Sequence, residues 1–520
     1  MKKVFNIDIS KTLKDLNKII VYIFVFLFIL AFPFYYKNGY YNIGFSKWAF
    51  FRFLTLGTIR DDIYYPGLLL IASSIEIVYL LIRRIKYHEK IKLNKLDILV
   101  FSYFIIVFIS RFLAYDKWIG WLGYKGWYMG LFGQLAFVLV YYFVSRYFKF
   151  KKDYLSIWMS INIIIYSLEI LNRFWIYIPN NLIIGLSRER LINLVSTIGN
   201  INWFATYLAI TFPIAYILFI FDDDQDIRYF SLISIFISAM SFITQGSQSM
   251  IFAFGGLLFI LLFFCLKNKI YLNRYFIILI TIISSFIFIG ILRNYIFKDV
   301  VRLDRTFEYL MNIKLIIPLL ILLIIIYYLF IKYINENNIY ICKKISIILI
   351  IIFSSIILIY TILNNIGYIP DKYSLPILKF NDSWGTNRGE IWRLTFQTLI
   401  KMYIQDPIRI IFGAGPDNYY YALYYYCFDE VKIHWLNTAL VNAHNEWLNS
   451  FVNYGIVGGL LYLSIFINGI KQAYKNKDYK ISYIFMFMLI CYMLNNIFSF
   501  QQAVSTPIAF FVLALINQKD

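Results

Sequence analysis

Residues 275–292 read YFIILITIISSFIFIGIL and residues 315–330 read LIIPLLILLIIIYYLF, two runs without a single charged side chain. At 1.5 Å per residue the first makes a helix of about 27 Å, close to the ~30 Å of hydrocarbon in a bilayer. Residues 19–36, IIVYIFVFLFILAFPFYY, form a third such run. Around them the 520-residue chain is 61% apolar and 15% charged, with a mean hydropathy of +0.67. A soluble domain carries about 25% charged residues, so this much apolar surface has no aqueous fold in which to hide. The chain reads as an all-α polytopic membrane protein.

Fourteen spans are predicted, near 19–36, 66–82, 96–113, 128–145, 154–178, 201–221, 229–244, 250–266, 275–292, 315–331, 345–363, 455–470, 481–497 and 503–516, in an architecture of about 12–14 transmembrane helices. Three parts follow: a bundle of about eleven spans over 1–363, a large loop of short helices over 364–454, and a final three spans over 455–520. A net charge of +20 raises the question of nucleic acid, and the positions of the charges answer it. With the N-terminus inside, the cytoplasmic connections hold 27 Lys/Arg in 81 residues, whereas the outside ones hold 20 in 188. Arg111 and Arg173 lie within spans. That asymmetry is the positive-inside pattern, so basicity follows from topology and no nucleic-acid partner is expected. Both termini are predicted cytoplasmic, with the 364–454 loop outside.

Other classes are excluded. The four cysteines are scattered and the three histidines are few, so neither a disulfide framework nor a metal centre is signalled, and no cofactor is expected. No GxxxxGK[ST] stretch offers a nucleotide cradle.

The outside loop carries the chemistry. Asn387 and Glu390 have the spacing of a capping box, opening a surface helix with Arg388 in its first turn. A cation there opposes the helix dipole, and two readings stand: an anion site, or an arginine resting on lipid headgroups. Gly413-Ala414-Gly415-Pro416-Asp417-Asn418 reads as a tight turn, with a phosphate-approaching backbone as the alternative. His444-Asn445-Glu446 opens another helix, capped by Asn442; an imidazole near a helix N-terminus is biased toward its neutral, proton-accepting form.

His444-Asn445, nine residues, then Gly455-Ile456-Val457-Gly458 resembles the signature of the O-antigen ligase family. Arg190-x-x-x-Leu194 resembles that family's Arg-x3-Leu element, and Gly199-Asn200-Ile201-Asn202-Trp203-Phe204-Ala205 is similar to its span entry. The run from Arg388 through Trp392 to Phe412 and Asn418 resembles the stretch before the catalytic histidine in Gram-positive members. Ser247-Gln248-Ser249 departs from the family's Ser-Arg-Gly, Lys125 stands where others carry arginine, and fourteen spans exceed the twelve often described.

The resemblance implies a membrane glycosyltransferase working without metal on the outer membrane face. Its partners would be a polyprenyl-diphosphate-linked glycan donor, a glycan acceptor and membrane lipid. His444 would be the catalytic base in an inverting displacement. Arg190 and Arg388, with Arg188 and Arg393 as second choices, would bind the donor diphosphate, a task for which a planar, permanently charged fork is suited. Asn445, Glu446 and Asp417 would orient the histidine or the acceptor. Polymerisation of a capsular or cell-wall polysaccharide is expected, with a ligase moving a finished glycan as the alternative. A flippase or carrier without chemistry is the rival of another class, carried by Glu76, Glu169 and Arg173 within spans. Glu169 and Arg173 also have the i,i+4 order of a structural ion pair, and no discontinuous spans of the kind transporters use are apparent.

Overall fold

The computed structural model describes residues 8–297, 299–375, 378–435, 438–476 and 479–518. Lys2, Lys3, Lys298, Lys477 and Lys519, counted above, lie outside them. Each of the fourteen predicted spans falls on a helix. Among the described residues, seven helices are long and apolar enough to cross a membrane, and four more apolar helices are shorter. Among the described residues strand is confined to two small antiparallel ribbons, Gly57–Arg60 with Ile63–Pro66 and Leu194–Val195 with Gly199–Asn200.

The bundle is built around the consecutive helices Ile201–Thr211 and Pro213–Phe221, whose apolar windows are entirely buried. Pro213 begins the second because an N1 position has no amide to lose. At the other extreme, Ile339–Asn365 buries none of its apolar window and Ile313–Tyr333 about a tenth. Such sustained hydrophobicity without a protein neighbour is what lipid-facing helices carry.

Polar contacts gather the connections into two sets. At one end Asn94 and Asp97, which form a capping box, meet Asn517. At the same end Lys152 meets Asp222, Lys480 meets Asp223, and Gln518 donates to the Phe148 carbonyl. At the other end, Asp116 meets Asn418, Tyr124 meets Asp417, and Arg173 meets Thr244, Gln245 and Ile192. These are the two sets that the charge count assigns to opposite sides.

The intramembrane charges are tied into this frame. Glu169 accepts from Ser241 and Thr244 and pairs with Arg173 at 3.5 Å. Arg173 spends its guanidinium on the Thr244, Gln245 and Ile192 carbonyls, bracing the loop that follows. Glu76 accepts from Asn17, Tyr142 and Tyr147. Groups bonded across helices in this way hold them together.

The chain departs from simple spans near its end. The helix Glu446–Lys475 is broken at Gly455, where φ is 71° and ψ −174°. Its first arm folds back along the second: Trp447 packs on Tyr462 and Phe466, Glu446 reaches the Tyr462 hydroxyl, and Phe451 covers Gly459. Seven residues separate Gly455 from Tyr462, so residue 446 sits about 10 Å down the helix axis from the bend. The predicted span starting at 455 is therefore the descending arm, and 446–454 is a re-entrant one. The non-helical stretch 496–505 lies beside it, buried between Tyr479–Asn495 and Thr506–Ile516. The sequence reading expected no discontinuous segments; these two occur together, at one place in the fold.

The bend requires glycine. A Cβ on Gly455 would sit 2.5 Å from the Ile411 carbonyl, and one on Gly413 would sit 2.4 Å from the Gly455 nitrogen. Gly455→Ala is expected to cost more than about 2 kcal/mol. It would appear as a lower melting temperature and loss of the monodisperse peak in detergent. Gly255→Ala, which meets nothing within 4 Å, is expected to leave both unchanged.

Candidate active site

His444 stands at the mouth of the re-entrant arm. Its backbone is left-handed, with φ 47°, and its amide donates to Asn442 Oδ1 at 3.0 Å. Asn445, not Asn442, caps the helix by accepting from the Leu448 amide, which places His444 one residue before the cap. The ring packs edge-on against Phe500 at 5.4 Å and forms no side-chain hydrogen bond among the described residues. Burial, and then the nearby Arg388 guanidinium, push its pKa down to about 4. The imidazole is neutral at neutral pH, as the helix-terminus argument anticipates, although burial is the larger cause.

Arg388 belongs to the helix Trp384–Gln405, entered through three consecutive left-handed residues, Gly385, Thr386 and Asn387. A β-branched residue in that region is strained. The predicted capping box is absent: the Glu390 amide donates to the Asp382 carbonyl, and the Glu390 carboxylate accepts from His434 Nδ1 (2.8 Å) and Trp435 Nε1 (3.2 Å). Arg388 Nη1 donates to the Gly385 carbonyl, whereas its Nε is buried without a partner. No carboxylate among the described residues pairs with it. Burial lowers its pKa, yet an arginine remains charged.

The other arginines are placed differently. Arg393 is held by Asp382 through two parallel bonds of 3.0 and 2.8 Å. Arg188 pairs with Asp299 at 2.8 Å and lies over the Trp175 ring. Arg190 is exposed on the one-turn helix Arg188–Leu191, and its side chain neither hydrogen-bonds nor ion-pairs with a described residue. Its loop reaches the histidine through rings: Leu191 packs in a cluster bordered by Trp203, Trp203 meets Trp127, Trp127 meets Phe500, and Phe500 meets His444.

Glu446 turns away from the imidazole and accepts from Tyr492 at 3.0 Å and from Tyr462. Asp417 is buried and accepts from the Tyr124 and Met129 amides at 2.6 and 3.1 Å. Burial pushes its pKa up to about 6 against those two bonds. The Gly413–Gly415 amides are occupied: Gly413 donates to the Arg409 carbonyl, Ala414 to Val452 and Gly415 to Asn453. The turn therefore offers no open phosphate cradle, because the broken helix supplies carbonyls that take its amides. Arg409 joins the same assembly by donating to Leu113 and Gly413 and stacking on Tyr115 at 3.9 Å.

Sequence reasoning missed the 496–505 contribution. Phe498 packs against Trp384 and Trp392, and Phe500 against His444 and Trp127. The signal present is a run of amides and hydroxyls, Asn495, Asn496, Ser499, Gln501, Gln502 and Ser505, between two apolar helices. Trp392 Nε1 donates to the Ala443 carbonyl, fixing the surface helix to the residue before His444.

Removing the Asp417 carboxylate would leave two buried amides unpaired. Asp417→Ala is expected to lower stability by about 1–3 kcal/mol, measured as a melting shift in detergent. Asp417→Asn, which keeps one acceptor oxygen, is expected to lose less.

Residues 315–463 match the family model described as O-antigen ligase. The match contains Arg388, Arg393, Asp417, His444, Asn445 and Glu446 and stops short of Arg188 and Arg190. No curated protein matches the chain.

Proposed function

We propose, from the match of residues 315–463 to the O-antigen ligase family model, that the chain transfers a polyprenyl-diphosphate-linked oligosaccharide to an acceptor sugar hydroxyl on the outer membrane face, without metal and with inversion. The observation that carries the reading is an unpaired, partly buried guanidinium, Arg388, beside a neutral imidazole, His444. A cation held without a counter-ion is a site waiting for an anion, and a neutral imidazole is a proton acceptor.

In the proposed step, His444 takes the proton of the acceptor hydroxyl as that oxygen attacks the anomeric carbon. The bond from the anomeric carbon to the diphosphate oxygen breaks, and its electron pair leaves on polyprenyl diphosphate. The diphosphate oxygens lie on Arg388, with Arg190 as a second cation from the facing loop; the proton passes from His444 to solvent. Arg188 and Arg393, each paired with a carboxylate, serve at most after exchanging partners. Asn445, Glu446 and Asp417 are positioning residues: the first two fix the start of the re-entrant arm, and the third fixes the 124–129 loop. Arg388 favours group transfer over a carrier, since in the charged pair the carrier reading used Arg173 is spent on backbone carbonyls and Glu169 on Arg173 and the Ser241 and Thr244 hydroxyls. Polymerisation of a capsular or cell-wall polysaccharide is favoured over ligation by the likeness of the Arg388–Asn418 run to Gram-positive members.

The experiment supplies purified protein with its host's lipid-linked repeat unit and resolves the products by size. A ladder indifferent to EDTA is expected; a single transfer to an added acceptor would make it a ligase. His444→Ala is expected to lose about 10²–10⁴-fold in rate. Arg388→Lys is expected to recover only part of the activity lost in Arg388→Ala, because lysine lacks the fork. An active His444→Ala overturns the assignment.

The pH dependence follows from the same geometry. His444 is active when neutral, so kcat/KM, which reports the free enzyme, is expected to stay level from pH 8 to about 5 and fall below that. A diphosphate on Arg388 offsets the guanidinium field, so the kcat profile should break at higher pH than that of kcat/KM. Coincident breaks near 6.5 would contradict this arrangement.

A further inference from the structure

At the end of the bundle where Asn94 and Asp97 meet Asn517, three lysines converge on one depression of about 500 Å³. Lys95 comes from the start of the helix Lys95–Phe112, and Lys471 and Lys475 from the last two turns of Glu446–Lys475. The two helices run antiparallel: Ser110 donates to the Asn453 carbonyl, Tyr103 packs on Tyr462, and Lys95 comes level with Asn468 and Gln472. Sixteen residues of helix separate Gly455 from Lys471, about 24 Å, so the lysines lie most of a hydrocarbon thickness from the bend.

The three ammonium groups have no counter-ion. None pairs with a described residue, and no carboxylate of a described residue lines the depression. Asp97, two residues beyond Lys95, is buried and taken up by Arg146 at 3.1 Å and by Tyr141 and Asn517. Gln472 and Gln518 donate to the Ile516 and Phe148 carbonyls, which fixes the floor. Lys95 opposes the dipole at its helix N-terminus, and Lys471 and Lys475 are a like-charged i,i+4 pair. An anion in the depression relieves both.

What surrounds the lysines selects the anion. The exposed Ile98, Ile105 and Ile109 continue the line of Lys95 along its helix at three-, seven- and four-residue steps, and the exposed Leu460 and Ile467 run in line with Lys471. Each stripe is apolar through the hydrocarbon and cationic at its end, which is the profile of a phospholipid. A free phosphate would use the lysines and leave the stripes idle. One lysine at the end of a span simply snorkels to headgroups, whereas three from two helices around a fixed floor form a basic pocket of the kind that holds a lipid headgroup.

We infer that this depression binds an anionic phospholipid, with its phosphate on Lys95, Lys471 and Lys475 and its acyl chains along Ile98, Ile105 and Ile467. By the charge rule the lipid belongs to the cytoplasmic leaflet. The bound headgroup ties Lys95–Phe112 to the arm that descends from Gly455. None of the residues involved belongs to the His444 site, so the inference stands or falls apart from the transferase reading.

The test uses the full-length protein in a non-ionic detergent, with lipids retained in native mass spectrometry and the melting temperature as readouts. Dioleoyl phosphatidylglycerol is titrated beside dioleoyl phosphatidylcholine, which has the same chains without net charge, and beside inorganic phosphate. Phosphatidylglycerol is expected to be retained and to raise the melting temperature at concentrations where the other two do neither. Lys95→Gln/Lys471→Gln/Lys475→Gln is expected to raise its half-saturating concentration about 10-fold or more. Lys332→Gln/Lys343→Gln/Lys344→Gln, which removes equal charge from the exposed junction of Ile313–Tyr333 and Ile339–Asn365, is expected to leave it unchanged. The three pocket lysines bond to no described residue, so their variant keeps its melting temperature without lipid; if it does not, Lys471→Gln alone, with a smaller shift in the same direction, carries the test. Equal retention of phosphatidylcholine, equal losses in the two triple variants, or an inorganic phosphate response matching that of the lipid would overturn the site.

Discussion

In hydrocarbon a backbone amide or carbonyl without a partner costs several kcal/mol, so an irregular segment survives at membrane depth only where protein satisfies it. The site of this protein is arranged around that constraint. Breaking the helix at Gly455 frees the Val452 and Asn453 carbonyls, and the Ala414 and Gly415 amides take them. Ser110 adds a hydroxyl to Asn453, while Arg409 and Asp417 tie the same turn to the 113–129 connection. Three stretches distant in sequence are thereby locked together, and the arm carrying His444 is held beside them. The glycines at 413 and 455 are required because their backbones touch.

Within that frame the arginines divide by their partners. Arg173 and Arg409 are consumed by carbonyls and a carboxylate each, Glu169 and Asp406, and Arg188 and Arg393 by carboxylates. Arg388 has a backbone carbonyl, a hydroxyl and a vacant Nε. Removing a charge from water without pairing it is costly, and the same loop adds backbone strain at Thr386 and Asn387. Both costs fall within reach of His444 rather than elsewhere in the bundle. The electrostatic consequence is mutual: the guanidinium helps keep the imidazole neutral, and an anion on the guanidinium would relax that pressure.

Much of this was legible in the residues. Charge-free runs locate helices because no charged group survives bare in lipid, and lysine and arginine counts give each connection an expected side. His444 with Asn445 and the glycine at 455 stood out by spacing. Local spacing decides less. Glu390 has capping-box spacing from Asn387, but tertiary contact with His434 and Trp435 wins its carboxylate. Asn442 and Asn445 are equally good caps by composition, and backbone geometry selects the second. Glu446, adjacent in sequence to the site, faces the opposite way because the first turn of a helix distributes its side chains around the axis. The hydrophobic pattern leaves only residues 498–502 between the last two predicted spans, whereas the non-helical stretch runs over 496–505, since nothing local distinguishes a surface turn from a buried crossing.

The sequence by itself determined the class of fold, the order of the helices and which residue types are available for chemistry, because hydrophobic runs and charge placement act through the solvent and need no knowledge of neighbours. Only the tertiary structure decided which arginine is left unpaired, which lysines face a common depression, and that residues 446–454 turn back instead of continuing upward. Those outcomes depend on competition among distant partners for each hydrogen bond and each charge, and that competition is resolved only when the chain has closed on itself.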